Sequence, residues 1–155
     1  MSDQTAPLDD ELRALTGWVG YGGPRVVTAE AIRRFADSLT PARTESGGAA
    51  SAGDVAPPTF FCPDPVAEVA SMGFVRPSAP ERSIDGGSTW EPGVATRPGD
   101  ILTSVGSVRD VTSRVLPDGR RVVVTRCEVR SWNQRGELAG VAGGTIVNYE
   151  VRGEA

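Results

Sequence analysis

The chain has no histidine and no lysine; all 16 of its cationic side chains are arginine. Without histidine, neither a Ser-His-Asp nor a Cys-His centre can be built from this chain alone, and every His-based metal site is excluded. Without lysine, Schiff-base chemistry and a Walker-type phosphate lysine are excluded as well. Cysteine is scarce. Cys62 and Cys127 are too few for a disulfide scaffold or a zinc site, and both are expected to be buried free thiols. No metal or cofactor is therefore expected. Leucine occurs 7 times against 19 valines, which favours strands over a helix bundle. No apolar run approaches the roughly 18–20 residues of a membrane span. The first residues, MSDQTAPLDDEL, are acidic and polar, unlike a signal or transit peptide, so a cytoplasmic location is expected. A net charge of −4 gives no general reason to expect nucleic acid or an anionic membrane as partner.

What is present suits one domain. The 155 residues allow a single sizeable core, with 19 glycines and 12 prolines breaking up the chain. Residues 1–8 read as a disordered tail and 9–152 as the domain. A short helix is expected over 9–15, with its acids in the first turn. The stretch 17–24 (GWVGYGGP) reads as turn-like and lacks a nucleotide-type glycine fingerprint. A helix is expected over 28–39, capped by Thr28 and stapled by Val27 and Ile32. Ile32, Phe35, Ala36 and Leu39 form its apolar face, and Pro41 ends it. Residues 43–55 (RTESGGAASAGDV) read as a flexible loop.

Residues 56–73 form a second helical region. Asp64 followed by Pro65 makes a good cap and first position, and Val66, Val69 and Ala70 recur at near-helical spacing. Pro57, Pro58, Pro63 and Pro65 should leave its first turns irregular. From residue 84 onward the pattern becomes extended. Long strands are expected over 101–116, 121–132 and 137–152, with turns at 117–119 and 134–136 and a shorter strand near 84–90. Gly140, Gly143 and Gly144 suggest a bend or bulge, or a close approach by another backbone. Helices followed by an antiparallel meander make an α+β plan, one helix laid on one sheet face. The uncovered sheet edges call for a partner.

Four segments carry a resemblance. They are 12–36 (LRALTGWVGYGGPRVVTAEAIRRFA), 56–60 (APPTF), 84–108 (IDGGSTWEPGVATRPGDILTSVGSV) and 131–140 (SWNQRGELAG). Together they resemble the MaoC-like dehydratase N-terminal family, the FAS1-like dehydratase domain, over about residues 9–150. The Gly-Gly-x-x-Trp-Glu run and the Arg-Pro-Gly-Asp at 97–100 are its most specific parts. The resemblance implies a hotdog fold, a long antiparallel sheet wrapped around a central helix that begins near Thr59. It also implies acyl-thioester substrates, on CoA or an acyl-carrier protein, with the pantetheine along a subunit interface.

Active relatives carry Asp and His in a Gly-Asp-x-Asn-Pro-x-His motif after the first helix. By spacing, Pro41 stands here in the place of the acid and Ser46 in that of the histidine. Neither does general acid–base work near neutral pH. No catalytic residue is therefore expected on this chain. The resemblance implies the non-catalytic, tunnel-forming half of a two-part (R)-specific enoyl-CoA hydratase or 3-hydroxyacyl-thioester dehydratase. Its partner would be a catalytic MaoC-like hotdog subunit, with a homodimer open to the chain when alone.

The candidate substrate-side residues are Thr59, Phe60, Phe61, Gly86, Gly87 and Trp90, each with a plainer reading as core, bulge or strand. Arg97, Arg126 and Arg130 are candidates for CoA phosphates, because guanidinium binds phosphate bidentately; a solvated strand face is the plainer account. Two alternatives stay open. One is a thioesterase using Asp64 or Glu68, though Asp64 is better explained as a cap and Glu68 as helix surface. The other is a non-enzymatic acyl-thioester binding module.

Overall fold

The computed structural model describes residues 4–5, 8, 10–39, 55–75, 80 and 82–151. Its elements, in chain order, are β1 (Gln4–Thr5), α1 (Asp10–Ala14), β2 (Val19–Val26), α2 (Ala29–Leu39) and α3 (Pro65–Ser71). The strands β3 (Arg82–Pro92), β4 (Ile101–Val115), β5 (Arg121–Trp132) and β6 (Leu138–Tyr149) follow. All pairings are antiparallel, in the order β1-β4-β5-β6-β3, with β2 pairing β4 beside β1. The fold is the expected α+β hotdog, with the three C-terminal strands as a meander and β3, among the described residues, as the edge strand on the far side.

Alternation decides which sheet face is buried. Leu102, Val108, Val111, Val123, Cys127, Val129, Ala142 and Ile146 all point to the inner face. Against that face lie Leu12 of α1, Ile32 of α2, Val69 of α3 and the aromatic pairs Trp18–Phe74 and Phe35–Phe60. Helix α2 starts where the sequence says: Thr28 Oγ1 accepts from Ala31 N–H at 3.1 Å, and Val27 and Ile32 are buried.

Helix α3 rests in a trough of glycines. A methyl on Gly106 would lie 2.7 Å from Met72 Sδ and 2.9 Å from Val69 Cγ1. One on Gly144 would lie 2.9 Å from Val66 Cγ2, and one on Gly140 would run into the Phe61 ring. At residues 140 and 144 the nearest approach is made chiefly by side chains, those of Phe61, Val66 and Pro65 among them, rather than by the backbone expected. Gly143 faces the other way, toward Thr89.

Three expectations are corrected. The turn-like stretch 17–24 is mostly strand β2, whose glycines leave room for Trp18 and Met72 against the sheet. The helices therefore do not all precede the sheet. The central helix does not begin near Thr59 but spans only Pro65–Ser71, because the prolines at 57, 58 and 63 cannot supply helical N–H donors. Finally, Gln4–Thr5 pair with Arg114 and Val115 inside the stretch expected as a tail. Pro41, Ser46 and most of the loop expected at 43–55 lie outside the described residues.

Candidate functional site

Because 57–63 is not helical, its carbonyls need partners from elsewhere. Arg25 of β2 donates to Phe61 O at 2.9 Å and to Phe60 O at 3.4 Å, with its guanidinium 5.4 Å from the centre of the Phe60 ring. Trp90 of β3 donates its indole N–H to Cys62 O at 2.8 Å. Both sheet margins are thereby tied to the three residues before the cap of α3. Asp64 closes the arrangement: its Oδ1 accepts from the N–H groups of Val66 and Ala67, both at 3.0 Å. This carboxylate is engaged as a cap. Cys62 is buried in this knot, and burial pushes its thiol up to about 12, with the Glu68 carboxylate adding to the effect. It is no nucleophile near neutral pH.

A second knot surrounds the Arg-Pro-Gly-Asp corner. Asp100 is 4% exposed. It accepts from Arg97 N–H at 2.8 Å, from Arg135 at 3.0 Å and from Gln134 at 3.2 Å. Burial works against its ionisation, but these donors outweigh burial and hold its pKa below the ordinary value. The backbone of the same corner exchanges two 2.8 Å hydrogen bonds with Val27, so it fixes the entry to α2.

Two cavities adjoin these features. One, of about 200 Å³, is mostly apolar and lies between Val55–Pro58 and Pro92–Thr96, with Ala139 also lining it. The other, of about 400 Å³, opens at a bulge in β3, where Gly86 and Gly87 together oppose Thr145. Gly87 has φ +110°, a conformation that favours glycine, and its N–H is held by Asp85 Oδ1 at 2.8 Å.

The expected site residues fall into separate places. Thr59, Phe60, Phe61 and Trp90 meet around the first knot, with both phenylalanines buried and Thr59 half-buried. Gly86, Gly87 and Arg126 line the bulge cavity together. Arg97 stands at the Asp100 corner, and Arg130 lies two residues beyond Glu128 on β5. Arg126 pairs with Asp110 and Arg130 with Glu128, both at 2.8 Å. The two arginines are about 13 Å apart along the strand. Arg126 and Arg130 are each engaged by a neighbouring carboxylate, and Arg97 lies on a different segment, between β3 and β4. Among the described residues, no group of His, Cys, Asp and Glu is placed to hold a metal ion, and no helix is long and apolar enough to cross a membrane.

Sequence reading missed Arg25 and the Asp100–Arg135 pair. The only available signal for Arg25 was a lone cation between small and apolar residues.

A helix seated in the trough of a long antiparallel sheet defines the hotdog class of folds. The family model described as "FAS1-like, dehydratase domain region" matches residues 14–140, and the chain belongs to this family. Solved structures agree on the fold. A MaoC-like dehydratase from Rhodospirillum rubrum is 23% identical, with 88% of this chain and 93% of that one covered and a TM-score of 0.54. The C-terminally truncated HadBC (3R-hydroxyacyl-ACP dehydratase) complex from Mycobacterium tuberculosis is 19% identical, with coverage of 86% and 96% and a TM-score of 0.60. Another chain described as a MaoC-like dehydratase is 18% identical with a TM-score of 0.63; the match covers 90% of this chain but 44% of that one. No curated protein sequence matches the chain.

Proposed function

We propose that the chain is the non-catalytic, tunnel-forming subunit of a two-part MaoC-like (R)-specific enoyl-CoA hydratase or 3-hydroxyacyl-thioester dehydratase. The observation that carries this reading is chemical. A chain that matches a dehydratase family contains no histidine at any position, and by motif spacing the places of the acid and histidine of active relatives fall on Pro41 and Ser46. The acid–base pair that moves a proton and a water at the substrate's β-carbon must then come from outside these residues, and we read it as supplied by a partner hotdog subunit. A hotdog dehydratase described as a complex, HadBC, is among the structural neighbours, which supports a two-subunit design.

This chain's share is to shape the acyl site. Thr59, Phe60, Phe61 and Trp90 form a rigid wall, held by Arg25 and the Trp90 indole bond. The apolar cavity beside Pro57 and Pro58 receives the acyl chain. Excluding water there leaves the partner's dyad to control the single reacting water.

The test is hydration of crotonyl-CoA and a longer enoyl-CoA by the purified chain, alone and with the catalytic hotdog. Each missing acid–base role costs on the order of 10²–10⁴-fold, so the chain alone should show no enzyme-like rate. Hydration at ordinary enzyme rates without a partner would overturn the proposal.

A further inference from the structure

The cavity of about 200 Å³ beside Pro57 and Pro58 owes its room to small side chains. Ala56 and Ala139 line it, and both are buried, at 7% and 3% exposure. Gly93 lines it too and brings no side chain. Backbone hydrogen bonds fix the segments around it. Ala56 N–H donates to Thr96 O at 2.8 Å, and the N–H groups of Gly93 and Val94 donate to Ala139 O and Leu138 O, both at 2.9 Å. Neither segment can slide inward to close the space without breaking these bonds. Val55 and Val94 also line it while exposed, so it opens to solvent on their side.

We infer that this cavity measures the acyl chain: it takes a straight chain of medium length, and Ala56 and Ala139 set the limit. The inference rests on the acyl-site reading above and adds to it the length and shape of the chain. A methylene group needs about the room of a water molecule in the liquid, roughly 30 Å³. A cavity of about 200 Å³ therefore holds roughly six or seven carbons. The carbonyl, α- and β-carbons stay outside it, where the partner's acid–base pair acts. A chain of about nine or ten carbons then fills the site. A longer chain must thread out past Val55 and Val94 into water, and a steroid-type polycyclic group exceeds the space.

The two alanines make the limit adjustable. Leucine at position 139 adds three carbons to one side, which take up roughly 90 Å³ and close to half of the space. Glycine there removes one carbon and lengthens the space. Leucine at position 56 intrudes from the opposite segment.

The test is titration calorimetry of the full chain, alone and with the catalytic hotdog present. The probes are CoA thioesters of straight saturated acids from butanoyl to tetradecanoyl, kept below their micelle concentrations. Circular dichroism checks the folding of each variant. Affinity should rise by roughly fourfold for each added methylene that the cavity buries. It should level off near the decanoyl chain. Ala139→Leu should move that break about three carbons shorter and weaken decanoyl-CoA at least tenfold more than butanoyl-CoA. Ala56→Leu should shorten it as well, by an independent route, and Ala139→Gly should move it about one carbon longer. An affinity that climbs to tetradecanoyl without a break would overturn the inference and leave the acyl site standing. A break that no folded variant moves would do the same. Absence of binding at every chain length, with and without the catalytic hotdog, would overturn the acyl-site reading and this inference together.

Discussion

Asp100 shows how a single residue can tie the fold to pH. Its carboxylate is nearly fully buried, and burial alone would raise its pKa from 3.8. The N–H of Arg97 and the side chains of Gln134 and Arg135 overcome that and lower it instead. A group whose native pKa is depressed contributes stability that is complete above its unfolded value. That stability disappears as pH falls through the native value. Urea unfolding from pH 7 down to pH 2 should therefore show wild type losing an increment below about pH 4 that Asp100→Asn does not lose. At neutral pH the variant should be less stable by about 2 kcal/mol, the scale of a hydrogen bond to a charged group. Equal acid sensitivity in the two proteins would remove Asp100 from this role. The sequence singled out Arg-Pro-Gly-Asp as a specific segment, but gave no sign that Asp100 pairs with Arg135. The two are 35 positions apart, and a contact across two connections leaves no local pattern. Arg25 escaped for the same reason: its acceptors are backbone carbonyls at 60 and 61, which carry no side-chain signature.

Whole elements were legible where one face is buried and the other is not. The alternation through 101–115, 121–132 and 138–149 is regular enough to place β4, β5 and β6 from sequence. The staple and cap of α2 are equally local. Strand β2 was hidden because its glycines resemble a turn, while their actual task is to let Met72 and Trp18 approach the sheet. Helix α3 was read as too long because the apolar run from 59 continues into it, and the prolines limit it to one short segment. The glycine trough makes a quantitative claim about how α3 is held. Gly106→Ala would place a methyl 2.7 Å from Met72 Sδ and 2.9 Å from Val69 Cγ1. Met72 is a flexible chain that can yield, whereas Val69 is β-branched and fully buried, so the helix itself must shift. Overpacking of this kind costs about 1–3 kcal/mol. Chemical denaturation should show that loss, with Val69→Ala in the same chain recovering part of it as a negative coupling energy. Additive losses in the double variant would mean that Gly106 is not limited by α3.

The whole molecule ends its sheet on an unguarded strand. β3 runs for eleven residues from Arg82 to Pro92 and, among the described residues, pairs only with β6; ten of its residues are exposed, including Ile84 at 54%. A long edge of this sort is a template for another strand, and proteins that remain alone blunt it with charge, proline or a covering segment. Here the bulge at Gly86 and Gly87 interrupts the edge once, and the Trp90 indole ties its second half to the wall at 60–62. A catalytic hotdog docking on β3 would therefore meet the acyl-site wall directly. This is the arrangement a tunnel shared between two subunits needs. Ile84 sits on the half of the strand away from that wall, so changing it should affect docking without touching Thr59, Phe60, Phe61 or Trp90. A lysine at position 84 is the kind of charge that keeps natural edges from pairing. Ile84→Lys should keep the wild-type circular dichroism spectrum and weaken binding to the catalytic subunit by at least tenfold in titration calorimetry. Enoyl-thioester hydration by the mixed subunits should fall in parallel at sub-saturating concentration and recover when the variant is added in excess. Recovery by excess separates a docking defect from a damaged site. Undiminished binding by Ile84→Lys would move the partner's contact off the β3 edge and leave the tunnel wall without its proposed neighbour.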